Sequence, residues 1–183
     1  MKQVGILISG RGSNMQALVE QASGYDVVLV ASDKPDAAGL TWANDRGLPT
    51  FALSPKGIGK AAFEEALDAA LRAAGVEVIA LAGYMRLLSP GFVAGWAGRI
   101  VNIHPSLLPA YKGLDTHARA IAAGEREAGC SVHLVTDELD AGAVLGQARV
   151  PVLAGDTPDT LAARVLVEEH RLYPRILAEF CAR

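Results

Sequence analysis

Asn102-Ile103-His104-Pro105-Ser106-Leu107-Leu108-Pro109 closes an apolar run that begins near Arg99. Side chains two apart on a strand point to the same side, so Asn102 and His104 project together. Pro105 and Pro109 follow at once, so the strand must stop and open into a loop. An amide and an imidazole are thus held side by side at the carboxyl end of a strand. In open α/β sheets that is where ligands bind. A polar pair there suggests acyl-type chemistry rather than packing.

Around this run the chain alternates short β-rich stretches with longer helical ones. Strands are expected at Val4 to Ser9, Asp26 to Ser32, Thr50 to Ala52, Val76 to Ala82, Arg99 to Ile103, Ser131 to Thr136 and Ala148 to Val152. Helices are expected at Asn14 to Gln21, Ala38 to Arg46, Lys60 to Ala74, Thr116 to Ala123 and Pro158 to Phe180. The first, second, fourth and fifth strands are nearly continuous Val, Ile, Leu and Ala, which suits a sheet covered by helices on both faces. The alternation predicts an α/β fold with a doubly wound, mostly parallel sheet. A short polar link without a helix joins the last two strands, so one antiparallel pair is expected near the C-terminal end. No repeat or linker divides residues 1–183, and one domain is expected.

Composition narrows the partners. The apolar fraction of 51% and charged fraction of 20% suit a compact globular chain. A formal net charge of -3 argues against nucleic acid as the main partner. No apolar run approaches the roughly 20 residues of a membrane span. Met1-Lys2 leads almost directly into a strand, leaving no room for a signal peptide. Cys130 and Cys181 have neither metal-ligand nor disulfide-framework spacing and read as reduced thiols. A cytoplasmic location is expected, and neither a monomer nor a homodimer is excluded.

Three further features carry chemistry. The first strand runs into Ser9-Gly10-Arg11-Gly12-Ser13-Asn14 and a helix follows. Glycines let backbone N–H groups approach an anion, and the helix start favours negative charge. The loop lacks the Lys-Ser/Thr ending of a P-loop and the third glycine of a dinucleotide fingerprint, so a phosphate monoester fits better. A purely structural turn with a helix cap is the other reading. Second, Thr136-Asp137-Glu138-Leu139-Asp140-Ala141-Gly142 reads as a loop that could set a carboxylate beside His104. A nearby carboxylate favours the charged form of a histidine, which can then donate to an oxygen that becomes negative. Third, at about 100° per residue, Leu161, Val165, Leu172, Ile176 and Phe180 form one apolar stripe, and Glu169 falls inside it. A carboxylate there is either part of a structural ion pair or turned towards a cationic or amine ligand.

Together these residues resemble the folate-dependent phosphoribosylglycinamide formyltransferases of purine synthesis. The resemblance runs nearly the whole chain. It is carried by Ile8 to Asn14, Leu81-Ala82-Gly83-Tyr84-Met85-Arg86-Leu87-Leu88-Ser89-Pro90, Asn102 through Pro109, Thr116-His117, and Ser131 through Asp140. It implies a Rossmann-like formyltransferase fold and a cradle for the ribonucleotide phosphate at Gly12, Ser13 and Asn14. Met85, Arg86, Leu87 and Leu88 match the segment lining the pocket of 10-formyltetrahydrofolate, which Asn102 also borders. Asn102, His104 and Asp140 match the catalytic trio, and Glu169 matches a carboxylate holding the glycinamide end. Lys60 stands where the family often has arginine near the folate, keeping the charge but losing the bidentate fork. Arg11 replaces a frequent asparagine. A cis Leu108–Pro109 bond is also implied.

The implied reaction is direct transfer of the formyl group from 10-formyltetrahydrofolate, the co-substrate, to the amine of glycinamide ribonucleotide. His104 and Asn102 would stabilise the oxyanion and Asp140 would orient His104. No metal is required, and no ligand spacing suggests one. His117 and His133 read as structural or peripheral, since neither shares the strand end with Asn102. Rival readings are hydrolysis of 10-formyltetrahydrofolate, formyl transfer to methionyl-tRNA, and an inactive folate- or nucleotide-binding module. The phosphate loop, the lack of a further domain in residues 1–183, and the presence of all three of Asn102, His104 and Asp140 respectively argue against them.

Overall fold

Consecutive side chains near the start of the chain are divided between two cores. Val4, Ile6 and Ile8 pack into the larger one and Leu7 into the smaller, as the period of two requires. The computed structural model describes residues 1–183. Strands β1 (Lys2–Ile8), β2 (Tyr25–Ser32), β3 (Thr50–Ala52), β4 (Val78–Leu81), β5 (Ile100–His104), β6 (Glu127–Leu134) and β7 (Val144–Pro151) form one sheet in the order β3-β2-β1-β4-β5-β6-β7. Helices α1 (Ser13–Glu20), α2 (Ala38–Asp45) and α6 (Pro158–Cys181) supply Met15, Leu40 and Leu161 to the larger core. Helices α3 (Lys60–Ala73) and α4 (Pro90–Gly95) supply Phe63 and Phe92 to the smaller core on the other face. A seven-residue helix, α5 (Thr116–Ala122), joins β5 to β6.

The chain builds outward from β1 through β2 to β3, then returns to place β4 on the other side of β1. Reversing direction while keeping right-handed crossovers moves the connecting helices to the opposite face. It also leaves a crevice between the carboxyl ends of β1 and β4. Ser9 ties the two sides of that crevice, donating to Asp33 Oδ1 at 2.7 Å and accepting from the Met85 amide at 2.9 Å. On α6, the Tyr173 hydroxyl lies 3.0 Å from the Leu81 carbonyl and 3.1 Å from that of Val101, pinning the helix to the ends of β4 and β5.

The doubly wound, mostly parallel architecture is as expected, with corrections at its C-terminal end. β6 runs antiparallel to both neighbours, β5 and β7, where one antiparallel pair was expected. β6 spans Glu127–Leu134 rather than Ser131 to Thr136, and β7 spans Val144–Pro151 rather than Ala148 to Val152. Both begin in polar or glycine-containing sequence without an apolar run to mark them. α4 was not expected. Its six residues are too few to show a period, although Ser89 caps it by accepting from the Phe92 amide and Pro90 opens it.

Candidate active site

A cleft of about 820 Å³ opens at this end of the sheet, within the range of small-molecule sites. It brings together Asn14, Lys60, Met85 to Leu88, Asn102, His104, Asp140 and Glu169. Gly12 and Ser13 precede Asn14 at the start of α1 and do not line the cleft.

Asn102 and His104 occupy alternate positions at the end of β5. The His104 side chain is 8% exposed and that of Asp140 is 7% exposed, with Nδ1 of the ring 3.4 Å from Asp140 Oδ2. On its other side, Nε2 of His104 donates to the Tyr111 carbonyl at 2.9 Å. Asp140 Oδ2 also accepts from the Gly113 amide at 2.9 Å. The carboxylate anticipated beside His104 is therefore Asp140.

His133 is not peripheral. The antiparallel register sets it opposite Asn102, whose Nδ2 lies 3.2 Å from His133 Nε2. Nδ1 of His133 lies 2.9 Å from the Leu134 carbonyl, which can only accept, so the proton sits on Nδ1. Burial pushes the His133 pKa down and favours the neutral ring. Its Nε2 then accepts from Asn102, fixing which way the amide faces and leaving the second Asn102 N–H free. The same Nε2 lies 3.7 Å from Asp140 Oδ1. Sequence reasoning missed this residue because the antiparallel pairing of β6 with β5 that sets it opposite Asn102 was not expected.

Two loops hold these groups. After β5 the chain passes through the cis Leu108–Pro109 bond, as expected. Ser131 anchors that turn, donating to the Ser106 carbonyl at 2.7 Å and accepting from the Leu108 amide at 3.0 Å. Residues 135–143 link β6 to β7, and a Cβ on Gly142 would run into the Leu134 carbonyl. Tyr111, Asp115 and Asp140, all in or beside the two loops, have φ of 55°, 56° and 51°. These left-handed values are uncommon for residues other than glycine.

Glu169 lies on the buried face of α6, as its place in the apolar stripe required, and is 7% exposed. It accepts from Asn14 Nδ2 at 3.2 Å. Burial pushes its carboxyl pKa up, and the Asn14 bond offsets part of that. Asn14 Oδ1 is buried without a partner. Gly12, at φ 73°, turns the chain into α1, where a Cβ would meet Met15 Cε at 2.8 Å. No side chain caps the first N–H groups of α1, which leaves them for an anion.

A family model described as formyl transferase matches residues 2–177. The chain belongs to the formyl transferase family. Among relatives, the phosphoribosylglycinamide formyltransferase of Escherichia coli (strain K12) is 45% identical over 180 residues, covering 96% of this chain and 85% of that protein. The trifunctional purine biosynthetic protein adenosine-3 of Drosophila melanogaster is 47% identical over 184 residues, covering 97% of this chain. The chain spans 14% of that protein's length and 18% of the protein of the same name from Gallus gallus. The crystal structure of phosphoribosylglycinamide formyltransferase from Brucella melitensis superposes with a TM-score of 0.94 at 53% identity, covering 100% of this chain and 96% of that one. A formyl transferase must hold a donor and an acceptor at once, and this one cleft is lined by Asn14 and Glu169, by Lys60 and Met85 to Leu88, and by Asn102 and His104.

Proposed function

We propose that the protein transfers the formyl group of 10-formyltetrahydrofolate to the primary amine of N1-(5-phospho-D-ribosyl)glycinamide. The observation that carries this reading is a single cleft joining the Asn102–His104–Asp140 cluster to a buried carboxylate, Glu169, hydrogen-bonded to the residue that follows an uncapped helix start. Met85 and Leu87, each 68% exposed, give the same cleft an apolar surface, with Arg86, Leu88 and Lys60 also lining it. That combination suits a flat heteroaromatic ring with an acidic tail, the chemistry of a folate co-substrate.

The α1 N–H groups, with Gly12, Ser13 and Asn14, hold the phosphate, and Glu169 holds the glycinamide end. The amine nitrogen attacks the formyl carbon, and the carbonyl oxygen takes the negative charge. His104, through Nδ1 with its Nε2 held by the Tyr111 carbonyl, and the free N–H of Asn102 stabilise that oxyanion. Collapse breaks the bond to N10 of the folate, which receives the proton lost by the amine through Asp140 and water. No step needs a metal. Every residue given a role comes from one chain. The partners are small molecules, and the reaction is assigned to the cytoplasm; no helix is long and apolar enough to cross a membrane.

The deciding experiment follows absorbance of the folate product from 10-formyltetrahydrofolate with and without the amine. Product only with the amine is expected. Product without it would mean hydrolysis, and none in either case would mean a binding protein or another acceptor.

Glu169 provides a second test. Burial makes this carboxyl hold its proton more tightly in the folded chain than in the unfolded one. Its burden on stability is therefore absent below the ordinary carboxylate range and grows as pH rises through the raised folded value. Glu169→Gln is expected to melt higher than the wild type at about pH 8 and equally at about pH 4. The same variant should raise KM for the amine about 10- to 100-fold, the worth of a buried hydrogen bond to a charged group. An unchanged KM would remove Glu169 from the acceptor site.

A further inference from the structure

One peptide bond at the cleft wall stands between a cation and the buried carboxylate. The amide nitrogen of Gly113 donates to Asp140 Oδ2 at 2.9 Å. The carbonyl at the other end of that peptide belongs to Lys112, and it accepts from Arg119 NH1 at 2.7 Å. No other hydrogen bond reaches it. The guanidinium thus faces the oxygen end and the Asp140 carboxylate faces the hydrogen end, so both charges align and polarise the same amide dipole. Arg119 NH1 also donates to the Leu114 carbonyl at 3.0 Å, and its guanidinium lies over the Tyr111 ring. It is carried on α5, so a regular helix supplies the fixed point.

The loop needs such a fixed point. Tyr111 and Asp115, on either side of Gly113, have positive φ, a conformation that residues other than glycine keep only where the surroundings hold them. The carbonyl of Tyr111 receives Nε2 of His104, so a shift of this loop disturbs both members of the His104–Asp140 pair. Arg119 does not line the cleft, and so reaches neither substrate.

We propose that Arg119 is a positioning residue for Asp140, acting through the Lys112–Gly113 peptide bond. This rests on the catalytic reading of Asp140 given above. Arg119 orients the peptide so that its N–H fixes one carboxylate oxygen, and that oxygen in turn meets His104.

The test compares steady-state kinetics of Arg119→Ala, Arg119→Lys, Glu125→Ala and Asp140→Asn with the wild type. Arg119→Ala is expected to lose about 10- to 30-fold in kcat, the scale of charge-assisted hydrogen bonds, with KM for both substrates unchanged. Millimolar guanidinium should restore part of that loss. Both bonds come from one nitrogen, so Arg119→Lys, with a point donor in its place, should retain most of the activity. Glu125→Ala removes the 2.7 Å bond from the Tyr111 hydroxyl but leaves the peptide contact intact, and should cost less than about threefold. Equal losses in Arg119→Ala and Glu125→Ala, without guanidinium rescue, would mean general loop tethering and overturn the proposal. So would wild-type kcat in Arg119→Ala while Asp140→Asn is crippled. Wild-type kcat in Asp140→Asn would instead overturn the reading of Asp140 on which the proposal stands.

Discussion

Replacing His104 with alanine is expected to lower kcat by about 100- to 1,000-fold, the loss that follows removal of one oxyanion donor. The ring lies at the end of β5, 8% exposed and held on both sides by Asp140 and the Tyr111 carbonyl. It meets a neutral formyl oxygen in the ground state and a charged one in the transition state, so its worth is realised mainly in the second. KM for both substrates should therefore change little, and kcat and kcat/KM should fall together. Asn102 remains in the variant and accounts for residual turnover. Steady-state rates with each substrate varied in turn, and a circular dichroism spectrum to verify folding, decide the matter. A folded variant within a few-fold of the wild type would remove His104 from the reaction.

Asp140→Asn is expected to be as severe, between about 100-fold and 10,000-fold in kcat, by the precedent of an aspartate that orients a catalytic histidine. The substitution keeps the shape of the side chain, and asparagine tolerates the left-handed backbone at φ 51°. The amide oxygen in the place of Oδ2 can still accept from Gly113 and still faces His104 Nδ1, while the amide nitrogen takes the place of Oδ1. What is lost is the full negative charge beside the ring, which weakens His104 as a donor to the developing oxyanion. His133 feels the change as well, because its Nε2 lies 3.7 Å from the other carboxylate oxygen. Melting temperature should stay close to the wild type while kcat collapses. Near-normal turnover would show that Asp140 serves the loop rather than the chemistry.

The features legible in the sequence were those encoded by local period. Asn102 and His104 two apart before Pro105 told of a strand end with both side chains on one face. Glu169 within a helical apolar stripe told of a buried carboxylate. Gly12 before a helix told of a turn that exposes N–H groups. That Asp140 would meet His104 was open on the residues alone, because the contact depends on how residues 135–143 fold back. The position of His133 depended on strand register, a non-local property, and the start of β6 at Glu127 carries no apolar mark. Tyr111 and Gly113 act through backbone atoms, which leave no chemical signature in the side-chain alphabet. Gly12 and Ser13 were expected with Asn14 as a phosphate cradle; Asn14 lines the cleft, and the other two immediately precede it at the start of α1.

The left-handed backbone at Tyr111, Asp115 and Asp140 bears on how this protein could be improved in the laboratory. Each such position costs a non-glycine residue about 1–2 kcal/mol. A selection for heat resistance alone would favour glycine at these three sites. A selection for turnover would restore Asp140. Libraries meant to raise thermal tolerance should therefore spare residues 105–115 and 135–143. They should spend their diversity on the helical surfaces away from the cleft, where tolerance and catalysis do not compete.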